Sequence, residues 1–210
     1  MEQYCVTIAR EFGSGGRLIG QLLAEKLGVA FYDRELIELA AVETGFAAEY
    51  IKEVEHRKTS RLCFAFPAHN LPGASAFTAG AGVSVPITDQ VFLAQSSIIQ
   101  RLAAEKSCVI VGRNADYVLR DKVCCARVFI YAPLEYRVLF ARKHYNETRS
   151  DLDSYIKRQD KNRREYCSYF TQRKWGASFN YHLCLDSSIG LEPSVHVLLA
   201  FVAEFMRRFT

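Results

Sequence analysis

With 210 residues, half of them apolar and 24% charged, the chain has the balance of one globular α/β domain with room for an insertion; disordered and fibrous classes are excluded. No run approaches the roughly 20 apolar residues of a membrane-crossing helix, and the N-terminus lacks the basic and apolar stretches of a secretion signal, so a cytoplasmic protein with no membrane partner is expected. The net charge of +4 is mild but uneven: Arg137 to Lys174 carries eleven Lys/Arg against five Asp/Glu, either a basic element facing an anion or a solvated helix face.

The first apolar, β-branched run predicts a strand over Tyr4 to Ala9, and Leu18 to Leu27 has helical spacing, so that a helix over Arg17 to Leu27 follows directly. Between them stands Arg10-Glu11-Phe12-Gly13-Ser14-Gly15-Gly16-Arg17. Glycines let backbone N–H groups turn inward, and a helix N-terminus adds partial positive charge, so this bend can cradle phosphate. Against the pattern G-x-x-x-x-G-K-[ST], Arg10 replaces the first glycine, Gly15 is the second and Gly16 replaces the lysine. Arg17 and Leu18 follow, so no hydroxyl remains there for Mg²⁺. Arg17, and Arg10 from the other side of the bend, can supply the missing cation; both can equally be solvated surface arginines.

Further strands are predicted over Val29 to Tyr32, Cys108 to Gly112, Arg127 to Tyr131 and Tyr181 to Leu185. Helices are predicted over Arg34 to Glu43, Ala47 to Glu55, Asp89 to Glu105, Leu134 to Tyr145, Leu152 to Phe170 and Pro193 to Phe209. This alternation implies a five-stranded parallel sheet wrapped by helices. Phe64 to Pro86, with three prolines and three glycines, reads as a long loop, either a lid or disordered. Of seven cysteines, Cys5, Cys108 and Cys184 fall in strands as small apolar fillers, and no Cys or His spacing suits a structural zinc.

Asp33, just past the second strand, is suited both to capping the next helix and to orienting an acceptor near a reacting phosphate. Arg113 and Asn114 follow the third strand, at the sheet edge where open α/β folds bind ligands. At helical spacing Lys157, Asp160, Lys161 and Arg164 share one face, with Arg163 at its edge. Trp175, Tyr166, Tyr169 and Phe170 are read as packing residues.

The run Ile8 to Asp33 with GSGG and LAEKLG, then Phe31-Tyr32-Asp33-Arg34-Glu35-Leu36-Ile37, Val109 to Tyr117, Asp160-Lys161-Asn162-Arg163 and Asn180 to Leu183, resembles the cytidylate kinase-like family of P-loop nucleoside monophosphate kinases. The resemblance implies a P-loop NTPase-like three-layer α/β/α domain over 1–210, with an acceptor-binding helical insertion at 34–105 and a basic helical lid at 146–176. It implies ATP and Mg²⁺ as cofactors, with ATP over Gly13, Ser14, Gly15, Gly16, Arg17 and Leu18. A nucleotide acceptor such as CMP or dCMP would lie against Asp33, Arg113 and Asn114, although Asn114 stands where the family's Gly-Arg-Asp has its aspartate. Lid residues Lys157, Arg158, Arg163 and Arg164 would neutralise transition-state charge, with Asp160 holding an arginine in place. Asp186-Ser187-Ser188 resembles the family's Asp-Thr-Ser near the adenine, and reads equally as a plain turn. The competing expectations are a nucleotide-binding regulator without transfer activity, a kinase for a non-nucleotide small molecule and, disfavoured by the acidic remainder of the chain, a nucleic-acid binder.

Overall fold

The computed structural model describes residues 3–33, 35–51 and 86–209. Strands β1 (Cys5–Arg10), β2 (Ala30–Tyr32), β3 (Cys108–Val111), β4 (Cys125–Tyr131) and β5 (Leu183–Asp186) form one parallel sheet in the order β2-β3-β1-β4-β5. Around it lie α1 (Gly16–Leu27), α2 (Glu35–Thr44), α3 (Ile87–Glu105), α4 (Ala115–Val118), α5 (Leu134–Tyr145), α6 (Leu152–Thr171) and α7 (Leu191–Met206).

Alternation along the central strands sorts their side chains between two cores. Cys5, Cys108, Ile110 and Cys125 point into a cluster with Leu36, Ile98 and Ile99 of α2 and α3. Val6, Ile8, Val109, Val111, Val128 and Ile130 pack on the other face with Ile19 and Leu23 of α1 and Leu198 and Val202 of α7. Burial on both faces explains why these strands read as continuous apolar runs. It also leaves the functional chemistry to the strand ends, above all where the chain order reverses on either side of β1.

All five strands stand where the sequence places them, with shifted ends. β4 starts two residues early because Cys125 and Ala126 find partners in Cys5 and Val6 of β1. β5 starts two residues late because Ser178–Asn180 is a 3₁₀ turn and the Tyr181 N–H still bonds the Ser178 carbonyl. The four-residue α4 is absent from the sequence reading, being too short to show periodicity. Of the helix expected over 47–55, residues 48–51 are helical and the rest lies outside the described residues, as does the expected loop except Pro86. Cys184 is half-buried rather than a core filler. Among the described residues no helix is long and apolar enough to cross a membrane.

Leu198, on α7, is fully buried against the sheet. Leu198→Ala is expected to lower unfolding free energy by about 2–5 kcal/mol through lost burial and the residual cavity. Urea denaturation checks this.

Candidate active site

The bend between β1 and α1 is built by glycines that leave no space for anything larger. Gly13 and Gly15 have φ of 79° and 75°. A Cβ at Gly13 would lie 2.6 Å from the Arg137 carbonyl oxygen, and one at Gly15 would lie 2.9 Å from the Phe140 ring. Helix α5 therefore presses the loop into shape. Underneath, the Ser14 hydroxyl donates to the Glu11 carbonyl at 2.9 Å, and the Ser187 hydroxyl lies 2.6 Å from the Ser14 carbonyl oxygen and 3.0 Å from that of Tyr131. No side chain caps α1, and no acidic residue occupies its first turn. The N–H groups of Gly16, Arg17 and Leu18 thus have no intrahelical acceptor, and the positive end of the helix dipole is uncompensated by an acid of its own.

Three guanidinium groups meet one buried carboxylate beside this terminus. Arg17 Nε donates to Asp33 Oδ2 at 2.7 Å, Arg113 Nη1 donates to Oδ1 at 2.5 Å, and Arg10 Nη2 lies 3.7 Å from Oδ1. Both Asp33 oxygens are thereby taken by arginine, while the Asp33 N–H donates to the Glu35 carboxylate at 3.0 Å. Burial alone pushes the Asp33 carboxyl up, but Arg10 and Arg113 more than reverse it and hold it below the usual carboxylate range. One negative charge among three positive ones leaves a surplus suited to an anion. Arg17, whose side chain is 37% exposed against 10% for Arg113, is the arm freest to transfer to it.

A second buried carboxylate fastens α6 to the same loop. Asp160 accepts the Phe12 N–H at 2.7 Å and Arg137 Nη1 at 2.5 Å, with Arg163 Nη1 at 3.4 Å. Arg137 also donates to the Phe12 carbonyl at 3.2 Å, and Arg163 donates to the Arg10 carbonyl at 3.4 Å. Burial lowers the Arg163 pKa, opposed by Asp160.

After β3 the backbone makes three left-handed residues in a row: Gly112 (φ 81°), Arg113 (φ 53°) and Asn114 (φ 50°). For the two that carry a Cβ this costs of order 1–3 kcal/mol each. Glycine at 112 is favoured by its φ of 81°, which residues with a Cβ rarely adopt, and it leaves room for the Arg10 guanidinium to lie against it. The turn delivers Arg113 to Asp33 and brings Asn114 to the wall of a cleft of about 500 Å³. Arg10, Arg17, Asp33, Asp116, Arg163 and Trp175 contribute to the same cleft.

Of the residues singled out in the sequence, the structure brings together Arg10, Arg17, Asp33, Arg113, Asn114 and Arg163 in this cleft, beside the Gly13–Gly16 bend. Asp160 is buried and bonded to Arg137 and Arg163, apart from the Lys157, Lys161 and Arg164 side chains with which its spacing predicts one shared face. Lys157, Lys161 and Arg164 line a separate surface hollow, and the exposed Arg158 lies over the Tyr155 ring. Asp186 accepts the Ser188 N–H at 2.9 Å, a turn, while Ser187 buttresses the phosphate loop. The sequence reading missed Arg137, Glu11 and Asp116, and took Trp175 for packing alone. Arg137 was countable in the basic run, but nothing local distinguishes a buried arginine from its solvated neighbours. Trp175 does pack edge-on against Phe129, yet it also lines the cleft.

The residues fit a phosphate chain better than they fit a protein-held Mg²⁺. The Ser14 hydroxyl is engaged with Glu11, Leu18 has none, and Asp33 is surrounded by arginines. Among the described residues no group of three or more His, Cys, Asp or Glu is placed to hold a metal ion.

A parallel sheet with β1 between β3 and β4, a glycine bend into an uncapped helix and a guanidinium cluster beside it define the class of P-loop kinases. The chain belongs to the cytidylate kinase-like family, whose model matches residues 5–189, and is thereby a kinase-type phosphotransferase for a small molecule. No curated protein matches it. Among solved structures it is similar to an uncharacterized protein from Eubacterium ventriosum ATCC 27560 (22% identity, 96% of this chain and 99% of that one, TM-score 0.68). It also resembles a gluconokinase from Sinorhizobium meliloti 1021 (14% identity, 99% and 95%, TM-score 0.60) and shikimate kinase from Bacteroides thetaiotaomicron (12% identity, 96% and 99%, TM-score 0.54). At these identities the likeness is one of fold.

Gly13→Ala, facing both a positive φ and the Arg137 carbonyl, is expected to destabilise the protein by about 1–3 kcal/mol in thermal or urea unfolding. Asp33, with its pKa depressed in the folded state, contributes stability above the unfolded carboxyl pKa of about 3.9 that is lost as pH falls through the lower folded value. Asp33→Asn is therefore expected to cost about 1–3 kcal/mol at pH 7, less than a fully buried pair because Arg17 is partly solvated, and progressively less below pH 4. Urea unfolding of both proteins across that range measures the difference.

Proposed function

We propose that the protein transfers the γ-phosphoryl group of ATP to a nucleoside monophosphate, with CMP or dCMP as the favoured acceptors. The observation that carries this reading is the convergence of Arg10, Arg17 and Arg113 on buried Asp33 beside the uncapped N-terminus of α1. The helix N-terminus and glycine bend suit the β- and γ-phosphates. Arg17 supplies the cation that the loop lacks at Gly16, and Arg113, a bidentate group by nature, suits the acceptor's phosphate. Asp33 keeps the guanidinium planes apart and oriented before either anion arrives. Transfer is direct and in line, so the protein's contribution is positioning and neutralisation of charge spreading over the transferred group. Arg163 faces that charge, and Asp160 is its positioning residue.

Two other readings have specific support. Arg113 would grip a carboxylate as well as a phosphate, and the fold likeness to gluconokinase and shikimate kinase favours a hydroxylated acid as acceptor. The absence of a loop hydroxyl for Mg²⁺ favours a regulator that binds ATP without transfer.

Phosphorus NMR of the protein with ATP, Mg²⁺ and, in turn, CMP, dCMP, UMP, AMP, GMP and shikimate separates the three. A nucleoside diphosphate from CMP or dCMP is the expected product; a phosphorylated acid would replace the nucleotide reading, and intact ATP binding without transfer would replace catalysis. Arg17→Ala is expected to remove most ATP affinity in calorimetric titration. Arg163→Ala is expected to lower kcat by roughly 10³-fold or more with little change in KM, because its charge is used in the transition state.

A further inference from the structure

Helix α6 carries two sets of side chains with separate surroundings. Tyr155, Gln159 and Arg163 line the cleft, whereas Lys157, Lys161 and Arg164 lie on another face and border a hollow of about 840 Å³. The turn after the helix supplies its second wall. Gln172 ends α6 in the left-handed region (φ 55°), and Arg173 and Lys174 follow it into the same hollow. This turn is pinned: the Arg173 N–H donates to the Thr171 hydroxyl at 3.1 Å, the Arg173 guanidinium lies over the Tyr117 ring, and Trp175 packs edge-on against Phe129. The cations of the two walls are therefore held around one space.

Five cations thus meet a single carboxylate, Glu165, which lies 3.8 Å from Lys161 Nζ. Lys157, Arg164 and Lys174 are exposed and form no ion pair with a described residue. Lys157 and Lys161 stand at an i,i+4 spacing and Lys161 and Arg164 at i,i+3, where like charges repel along a helix. A basic face that served solvation alone would interleave acids; this one concentrates positive charge where an anion would offset it. The surplus matches the charge of an ionised triphosphate. Its layout differs from that of the cleft, where guanidinium groups converge on one carboxylate. Here the cations of α6 are spread along about two turns of helix, as a chain of linked phosphates would require.

We propose that this hollow is a second anion site, distinct from the glycine bend, which takes a linear polyphosphate, either free or carried by a nucleoside. In the second case Trp175, which lines the hollow, offers a ring for the base. The volume is that of a small-molecule pocket. The chain outside Arg137 to Lys174 is slightly acidic, which favours an anion that ends within the hollow over a nucleic acid strand that runs beyond it. The proposal goes beyond the phosphoryl-transfer reading and stands without it.

Calorimetric titration of the full chain with ATP and with inorganic tripolyphosphate tests it, comparing wild type with Lys161→Glu/Lys174→Glu, which reverses one cation on each wall, with the conservative Lys161→Arg/Lys174→Arg, and with Arg17→Ala. Wild type is expected to bind ATP at two sites. The double Glu variant is expected to weaken one of them by about tenfold or more and to leave the other, the double Arg variant to keep both, and Arg17→Ala to keep the one that the Glu variant weakens. Tripolyphosphate bound at the hollow as tightly as ATP identifies the phosphate chain alone as the group read; ATP bound about tenfold tighter or more identifies the base as well.

Isotherms of ATP and tripolyphosphate that are the same in wild type and the double Glu variant overturn the proposal. Tighter binding of a single-stranded oligonucleotide than of either, lost in the same variant, also overturns it and makes the hollow a nucleic-acid surface. A single ATP site that is lost in the double Glu variant and intact in Arg17→Ala leaves the proposal standing and removes the reading of the glycine bend as the ATP site. A single site with the opposite behaviour does the reverse.

Discussion

The pairing of Asp33 with three guanidinium groups is the constraint from which the rest of the site follows. Arg10 ends β1, Arg17 opens α1, Arg113 follows β3 and Asp33 follows β2, so one carboxylate fixes the relative positions of four segments at the C-terminal edge of the sheet. Three like charges at such distances repel strongly without a counter-ion. Asp33 makes their assembly tolerable in the folded protein, and because it supplies one charge against three, it leaves the attraction for an incoming anion in place. That balance gives a preorganised site: the cost of gathering the arginines is met on folding rather than at each encounter with ligand.

Asp160 plays the corresponding part for α6. Its contacts to the Phe12 N–H, Arg137 and Arg163 hold the helix against the glycine bend, while Lys157, Lys161 and Arg164 line a separate surface hollow. The loop itself is clamped from three directions, by Arg137 and Phe140 of α5, by Arg10 and by Ser187. Its glycines serve the scaffold as well as any ligand, since each stands where a neighbour leaves no room for a Cβ.

Irregular backbone also stands at the same edge, in the left-handed run Gly112-Arg113-Asn114. Left-handed Arg113 is a poor local choice that the surrounding packing enforces, whereas Asn114 is of the residue type that tolerates this region best after glycine; both side chains line the cleft. Stable cores on both faces of the sheet, rich in fully buried Ile, Leu and Val, supply the margin for such strain.

The sequence by itself determined the five strands, most of the helices, the phosphate-type bend and the candidacy of Arg17, Asp33 and Arg113, because periodicity, glycine placement and strand-end position are local properties. Short α4 and the exact ends of β4 and β5 were out of reach, since they depend on which neighbour is available to pair. Only the tertiary structure decided that Asp33 is held by three arginines, that Asp160 and Arg137 point inward while their basic neighbours point to solvent, and that Asp116 and Trp175 face the cleft. Burial and charge pairing between residues 80 positions apart in the chain leave no trace in local composition; they come into being when the sheet brings its strand ends together.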